Sequence, residues 1–378
     1  MENKRDSNFE LLRCVAMFII VLCHMRAHGF KIVSYNDEPT LNILILKSFN
    51  WLGTIGNFLF MLISGYFITA KSSEPKKIFK LWLQIFFYSV IFGTISFVLK
   101  LDVSSLASGY VFRKMTLFDY LRCFFPFLSC HNWYASAYLI FLLFVPFLNV
   151  MLDKLDQLTH RRLCYVLIFV GGGLTNLRGF TAGFVPSCIY AFIMMYFIAK
   201  YIRLYNPKIL SNVKRNLIIA FLMCVSFCLY SIIICLISKK IPFIQNHKSV
   251  FLELYAGKMT CFFPIICAVL IFSGFKELYI PYNKIINFVA SSTFGIYLIH
   301  EDLSTKYYMW VHIFKTDDWI NSKFLFLYMP VVALIIFIFG IAIEQFRKYC
   351  FEKPVYKLIE NRKKENSKES VGQGVTQE

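Results

Sequence analysis

The sequence has 378 residues, of which 58% are hydrophobic and only 16% are charged, and its mean hydropathy is +0.58. Because soluble globular domains have about 25% charged residues, this composition excludes a soluble protein and predicts one membrane domain. We interpret the formal net charge of +18 mainly as a signal of membrane topology and of attraction to anionic membrane lipid. We expect no nucleic-acid partner, because no soluble module presents a basic face.

The apolar segments predict an all-α fold, a polytopic membrane bundle of about ten transmembrane helices. The predicted spans lie near residues 9–29, 49–69, 79–99, 133–151, 163–179, 183–203, 215–237, 255–273, 285–303 and 324–346. The first span follows Lys4 and Arg5 as in a signal peptide, but we find no small-residue cleavage site after it and expect it to stay uncleaved. Residues 1–346 are predicted to form one membrane domain, and residues 347–378 a charged, partly disordered cytoplasmic tail.

The distribution of lysine and arginine predicts the orientation of the bundle. Ten spans would put both termini on the same side of the membrane. The termini and the even-numbered loops carry 24 basic residues, whereas the odd-numbered loops carry 15. Since cytoplasmic loops are enriched in lysine and arginine, we expect both termini to be cytoplasmic.

The 12 cysteines show no CxxC pair and no zinc-type spacing. Most lie inside the predicted spans, where a thiol acts as a small apolar group. Cys123 and Cys130 share the long third loop, and two alternatives stay open for them: a disulfide in an oxidising compartment, or two free thiols.

Two ionisable residues, Arg13 and His24, lie inside the first predicted span. Eleven residues of helix correspond to about 1100°, so both side chains lie on one face, about 16 Å apart along the axis. Ionisable groups inside a span are costly and are functional candidates by default. The alternatives are an arginine that extends to the lipid headgroups and a histidine at the membrane interface. Glu10, one turn before Arg13, is positioned to pair with it.

Five segments, in chain order, resemble the acyltransferase-3 family of membrane O-acyltransferases. The first is the arginine and histidine of the first span, and the second is FLFMLISGYFITAK, in which residues 64–67 match the family's Ser-Gly-Tyr-Phe. The others are PKKIFK at the third span, HNWYASAYLIFLLFVPFLN at the fourth and SSTFGIYLIHEDL at the ninth. One such segment is weak evidence, but five in the family's order make the resemblance strong.

The resemblance implies an O-acetyltransferase activity: transfer of an acyl group, usually acetyl, from cytoplasmic acyl-CoA to a hydroxyl of a cell-surface or exported glycan, or of its lipid-linked precursor. It implies acetyl-CoA as a donor substrate rather than a tightly bound cofactor, and a location in the bacterial inner (cytoplasmic) membrane. Some relatives carry an extra extracytoplasmic hydrolase-like domain that completes the transfer. We find none in this sequence, and expect either direct acylation of the acceptor or a separate extracytoplasmic transferase partner.

The resemblance assigns His24 to the family's essential histidine and Arg13 to its essential arginine. A neutral imidazole, with an ordinary pKa of about 6.5, suits removal of a hydroxyl proton; an acyl-enzyme intermediate is the alternative mechanism. The family's Arg-x-x-Arg is Lys77-x-x-Lys80 here, and lysine cannot bind a phosphate through two parallel hydrogen bonds as arginine does. We expect Arg13, Lys77 and Lys80 to converge on the phosphates of coenzyme A.

Trp133, Tyr134 and His300 are the candidate substrate-binding residues. The two aromatic side chains are suited to stacking on a sugar, although aromatic residues are also common at membrane interfaces. His300 fits the ninth-span motif, and the alternative is a packed histidine. Because the consecutive residues 300–302 do not share a helix face, we predict no metal site there.

The alternative function is a polytopic polysaccharide polymerase, flippase or small-molecule transporter without acyl transfer. A transporter is expected to have acidic residues or interrupted helices at the membrane midplane, and this sequence has few acids inside its spans. Glu344, near the end of the last span, is expected to pair with Arg347 rather than to react.

Overall fold

A computed structural model describes residues 6–30, 40–49, 51–104, 112–129, 131–173, 188–248, 251–252 and 261–355. Their α-helices are α1 (Ser7–His24), α2 (Leu41–Ser48), α3 (Leu52–Phe67), α4 (Pro75–Val98), α5 (Leu117–Arg122), α6 (Trp133–Asp153), α7 (Gln157–Ile168), α8 (Cys188–Tyr205), α9 (Val213–Ile237), α10 (Pro242–Asn246), α11 (Phe262–Glu277), α12 (Lys284–Ala290), α13 (Thr293–His300), α14 (Lys306–Tyr308) and α15 (Leu325–Arg347). One short hairpin pairs β1 (Asp102–Ser104) with β2 (Phe112–Lys114). The predicted all-α polytopic fold is confirmed.

Seven helical segments of the described chain are long and apolar enough to cross a membrane. They are Ser7–Gly29, Leu41–Phe67, Pro75–Val98, Trp133–Asp153, Cys188–Tyr205, Val213–Ile237 and Leu325–Val355. Each coincides with one predicted span, so the chain is a multi-pass membrane protein. The predicted fifth and eighth spans fall partly outside the described residues. Residues 356–378 of the predicted tail lie entirely outside them.

The predicted ninth span is two short helices, α12 and α13, rather than one continuous helix. At the break, the side chain of Ser291 donates to the carbonyl oxygen of Phe288, and that of Thr293 donates to the carbonyl oxygen of Ala290, both at 2.8 Å. Hydroxyl side chains that bind nearby carbonyl groups compete with the backbone ladder of a helix. The serine and threonine residues of the ninth predicted span therefore mark the break between α12 and α13.

α1 occupies a central position because it packs against α3, α11, α12, α13 and α15. Its contact with α3 is close at Gly56, where a Cβ atom would lie 2.5 Å from Cγ1 of Ile20 and 3.0 Å from the carbonyl oxygen of Ala16. Small residues at such crossings let two membrane helices approach closely. α1 is therefore held on several sides, which limits the movement of the side chains that it carries.

α12 and α13 run in the same direction as α1. At the start of α1, the hydroxyl oxygen of Ser7 accepts hydrogen bonds from the backbone of Asn283, at 2.8 Å, and from the side chain of Asn287, at 2.9 Å. At the end of α1, His24 meets His300, the last residue of α13. The two ends of α1 are thus aligned with the two ends of the broken ninth segment.

The end of α4 and the third loop pack on the chain that follows α13. The hydroxyl of Ser96 donates to the carbonyl oxygen of Ser304 at 2.8 Å, and Sγ of Cys123 lies 3.7 Å from the Ser304 hydroxyl. Cys123 is a free thiol in the structure, while Cys130, the other cysteine of the predicted alternatives, lies outside the described residues. In the same loop burial opposes ionisation of Asp119, but hydrogen bonds from Arg113 and Thr116 lower its pKa to about 2.

Candidate active site

His24 is the last residue of α1, and a π-helical turn, Met25–Gly29, follows it directly. The turn contains His28, whose ring centroid lies 5.7 Å from that of His24. The hydroxyl of Thr316 donates to the carbonyl oxygen of Gly29, and a Cβ atom on this glycine would lie 2.8 Å from that hydroxyl. π-Helical turns are frequent at functional sites, and this one brings a second histidine to the same end of α1.

The imidazole of His24 contacts two side chains at the end of α13. Its Nδ1 atom lies 2.9 Å from Nε2 of His300 and 3.2 Å from Oε2 of Glu301. The Nδ1 atom of His300 in turn lies 2.6 Å from the carbonyl oxygen of Ile296. Sequence reasoning treated His24 and His300 as separate candidates, and the structure brings them into direct contact.

This chain of contacts determines which ring nitrogens carry protons when both histidines are neutral. Because a carbonyl oxygen only accepts, Nδ1 of His300 must carry the proton that it donates to Ile296. Nε2 of His300 is then an acceptor, and Nδ1 of His24 donates to it. The Nε2 atom of His24 keeps its lone pair, which is the arrangement that a general base needs.

Glu301 is a buried carboxylate between a lysine and two imidazoles. Its Oε1 atom lies 2.8 Å from Nζ of Lys306 and 3.3 Å from Nε2 of His28, and its Oε2 atom faces His24. Only 5% of Glu301 is exposed, and a buried charge requires a counter-charge. Lys306 therefore neutralises the carboxylate, whose Oε2 atom lies beside His24 without accepting a hydrogen bond and is placed to stabilise the imidazolium that forms when Nε2 of His24 takes a proton.

A second histidine–carboxylate pair lies beside the first. Nε2 of His131, just before α6, lies 2.9 Å from Oδ2 of Asp302, and both side chains are buried. The other carboxylate oxygen of Asp302 accepts a hydrogen bond from the backbone of Ser304 at 2.9 Å. The helix ends at His300, so Asp302 faces His131 while His300 and Glu301 both face His24. Within the described ranges, no group of three or more histidine, cysteine, aspartate or glutamate side chains is arranged to hold a metal ion.

Arg13 lies one turn after Glu10, and its Nη1 atom is 3.5 Å from the glutamate Oε1 atom. This predicted pairing is confirmed. Arg13 also interacts electrostatically with Tyr134 and Tyr138 of α6, and Tyr138 interacts with the side chain of Ser64 on α3. Arg13 is therefore near hydroxyl groups of α3 and α6.

Lys77 and Lys80 lie in the first turns of α4 and are exposed. Nζ of Lys80 lies 2.5 Å from Oε1 of Glu352, and Nζ of Lys77 lies 3.8 Å from Oε2 of Glu74. The two lysines and Arg13 thus have different carboxylate partners in this structure. Their convergence on the phosphates of coenzyme A stays a prediction.

The end of α15 carries a buried charge network next to Lys80. Oε2 of Glu344 accepts hydrogen bonds from the Tyr88 hydroxyl at 2.6 Å and from Nε of Arg347 at 2.9 Å. Arg347 also donates to Glu352 at 2.6 Å, so the network continues to Lys80. The predicted Glu344–Arg347 pair is confirmed, and Arg347 is a buried helical residue rather than the first residue of an exposed tail.

Trp133 and Tyr134 open α6 with their rings 5.6 Å apart, edge to face. Tyr134 is buried, and its ring centroid lies 5.9 Å from that of Tyr297 on α13. Tyr297 lies 6.3 Å, ring to ring, from His300. Tyr134 is therefore part of the packing around the histidines, whereas Trp133, which is only partly buried, is the more accessible ring of the two.

Sequence reasoning assigned no role to five residues of this site: His28, His131, Glu301, Asp302 and Lys306. His28 follows His24 by one helical turn, and that spacing is visible in the sequence. The other four sit in or next to the motifs HNWYASAYLIFLLFVPFLN and SSTFGIYLIHEDL. Only tertiary packing reveals which of them bind one another.

Replacement of Lys306 by methionine is expected to destabilise the protein by about 3–5 kcal/mol, because it leaves Glu301 buried without its lysine counter-charge. The double variant Lys306→Met/Glu301→Gln removes both charges and should regain most of the loss. Thermal unfolding of the purified proteins in one detergent measures both. A Lys306→Met midpoint equal to that of the wild type would contradict the proposed charge balance.

Comparison with known proteins identifies the family of the chain. No curated protein and no solved structure matches the chain. A family model described as an acyltransferase domain matches residues 6–353, a range that includes every site residue described above. The chain therefore belongs to the acyltransferase-3 family of membrane acyltransferases.

Proposed function

We propose that the protein transfers an acetyl group, or another short acyl group, from acyl-CoA to a hydroxyl of a cell-surface or exported glycan. The observation that supports this proposal best is the orientation of His24 by His300, which leaves Nε2 as the basic atom, with the carboxylate of Glu301 beside the ring. A histidine base with a neighbouring carboxylate suits acyl transfer. The proposed acceptor is a glycan because Trp133, a partly buried ring at the start of α6, is suited to stacking on a sugar and is linked to His300 through the rings of Tyr134 and Tyr297.

The proposed reaction requires one base and one carbonyl carbon. Nε2 of His24 takes the proton of the acceptor hydroxyl while the hydroxyl oxygen forms a bond to the thioester carbon. The carbonyl π electrons move to oxygen, and they return when the carbon–sulfur bond breaks. The thiolate then takes the proton from Nε2, which restores neutral His24 and releases free coenzyme A.

The donor is proposed to enter from the end of the bundle where α1 begins. Arg13 lies about 16 Å before His24 along α1, a distance that the pantetheine arm of a coenzyme A thioester can span. Arg13, together with Lys77 and Lys80, would hold the phosphates, since cations recognise phosphate oxygens through charge-assisted hydrogen bonds. Acyl-CoA acts here as a substrate that leaves after each turnover.

The orientation follows from this donor path. We propose that both termini face the cytoplasm, in the inner membrane of a bacterium, so that Arg13, Lys80 and the end of α15 meet cytoplasmic acyl-CoA. The hydrogen bond between Asn8 and the carbonyl oxygen of Phe275, at 2.9 Å, ties the end of α11 to the same face. The excess of basic residues in the corresponding loops supports this orientation.

Cys350 tests the orientation, because its side chain is exposed just beyond α15. A membrane-impermeant thiol reagent should label it only after the cells are permeabilised. The matched control is Cys350→Ser, which should remove that labelling. Labelling of Cys350 in intact cells would reverse the proposed orientation.

His24→Ala is expected to lower the turnover of acetyl-CoA by about 10²–10⁴-fold, since it removes the general base. Acetyl-CoA binding should be retained, because the imidazole is proposed to act on the acceptor proton. Thiol release by the purified protein measures turnover, and calorimetry measures affinity. Unchanged turnover would remove His24 from this role, and absence of acetyl-CoA binding by the wild type would favour a polymerase, flippase or transporter.

Lys80→Ala is expected to weaken acetyl-CoA binding about tenfold, the effect of one charge-assisted contact to phosphate, with a smaller change in turnover of the bound donor. The matched control is Glu352→Gln, which breaks the same ion pair but keeps the lysine. If Glu352→Gln weakens binding as much as Lys80→Ala does, the ion pair matters structurally and Lys80 is not a phosphate ligand.

A further inference from the structure

Three buried side chains near the start of α6 have polar atoms without hydrogen-bond partners. They are Asn132, with both amide atoms unpaired, Ser136 through its hydroxyl, and Tyr297 of α13 through its hydroxyl. Asn132 is 1% exposed, and Ser136 and Tyr297 are each 5% exposed. A buried polar group left unpaired costs about 1–3 kcal/mol. Three such groups in one region indicate that something else supplies their partners.

Asn132 and Ser136 belong to the start of α6, and Tyr297 packs against Tyr134 there. At this N-terminus the first backbone N–H groups have no acceptor within the helix. The first hydrogen bond of α6 runs from Ser136 to the carbonyl oxygen of Asn132, at 3.0 Å, and the Asn132 side chain does not cap the helix. The hydroxyl of Tyr297 faces the backbone N–H groups of Tyr134 and Ala135 without reaching hydrogen-bond geometry. The region is therefore rich in donors that have no acceptor.

Two sets of side-chain contacts link the start of α6 to His24. His131, one residue before Asn132, pairs with Asp302 at the end of α13. On α13 the ring of Tyr297 lies beside that of His300, which contacts His24. The start of α6 thus lies next to the proposed base.

We propose that the N-terminus of α6, with the hydroxyl of Tyr297 and the side-chain amide of Asn132, forms an oxyanion hole for the thioester. This inference rests on the proposed function. When the acceptor oxygen bonds to the thioester carbon, the carbonyl oxygen gains the π electron pair and becomes an oxyanion. It then accepts hydrogen bonds from the Tyr297 hydroxyl and from Nδ2 of Asn132, and it releases them when the electron pair returns and the carbon–sulfur bond breaks.

Two physical features favour a developing anion here over a neutral ligand. The positive end of the dipole of α6, which is 21 residues long, stabilises negative charge at its N-terminus. The Tyr297 hydroxyl, which has no hydrogen-bond partner, can donate its proton to the anion. Donors of this kind, arranged before the reaction, stabilise the transition state more than the ground state.

The test uses Tyr297→Phe and Asn132→Leu, two substitutions that keep side-chain size. Each should lower turnover of acetyl-CoA, measured as thiol release with water as acceptor, by about 10²-fold. Acetyl-CoA affinity should stay within twofold of the wild type. The thermal midpoint should not fall, because each variant removes polar atoms that have no partner. The matched control is Tyr196→Phe, which removes a hydroxyl that donates to Asn149 at 2.6 Å and should leave turnover unchanged.

A spectroscopic measurement separates carbonyl polarisation from a structural effect. In a His24→Ala background, the bound thioester survives, and the carbonyl stretch of 13C-labelled acetyl-CoA should shift to lower frequency on binding. The added Tyr297→Phe change should reduce that shift. A shift that is the same with and without the Tyr297 hydroxyl would overturn the proposal.

The outcomes distinguish this proposal from the proposed function. If His24→Ala is inactive but Tyr297→Phe and Asn132→Leu both turn over within threefold of the wild type, the oxyanion hole is wrong and the acyltransferase assignment stands. If His24→Ala is as active as the wild type, the proposed role of His24 fails first. Should Tyr297→Phe not fold, Asn132→Leu decides by the same criteria.

Discussion

The buried carboxylate of Glu301 is the constraint on which the rest of the site depends. It lies among the ends of apolar helices, where it must be neutralised, and Lys306 does this at 2.8 Å. Once ionised and fixed, it has one oxygen facing His28 and the other facing His24. The orientation of the candidate base therefore follows from the need to balance a charge in a region of low polarity.

Much of the fold was predictable because one physical rule governs it: an apolar helix must be about 20 residues long to cross a bilayer. The helical period likewise predicted the Arg13–Glu10 pair, since both residues lie on one helix. The contact between His24 and His300 was not predictable from spacing, because 276 residues separate them. The family motifs indicated both histidines, but only packing shows that one orients the other. The break between α12 and α13 had a local signal in Ser291 and its neighbours, which a hydropathy average does not resolve.

The two lysines show what a change from arginine to lysine means physically. Arginine binds a phosphate through two parallel hydrogen bonds, whereas lysine is a single mobile charge. Lys80 lies on the surface with Glu352 as its partner, and that glutamate also binds Arg347. An incoming phosphate would therefore compete with a carboxylate that already has a second cation. Exchange of Glu352 for a phosphate as the partner of Lys80 costs little free energy in such a network. This suits the proposed acyl-CoA donor, which must bind and leave in every cycle.

The unpaired polar atoms at the start of α6 are consistent with the different roles proposed for the two ends of α1. In the proposed function, the Arg13 end of α1 holds the charged donor and the His24 end is where bonds change. A site that stabilises a short-lived anion works best when its donors are not already paired, because no hydrogen bond has to be broken first. The hydroxyl of Tyr297 and the amide of Asn132 meet that condition, and the cost of keeping them unpaired is carried by the apolar packing of Tyr134 and its neighbours. The same packing of helices thus stabilises the bundle and keeps these buried polar groups unpaired.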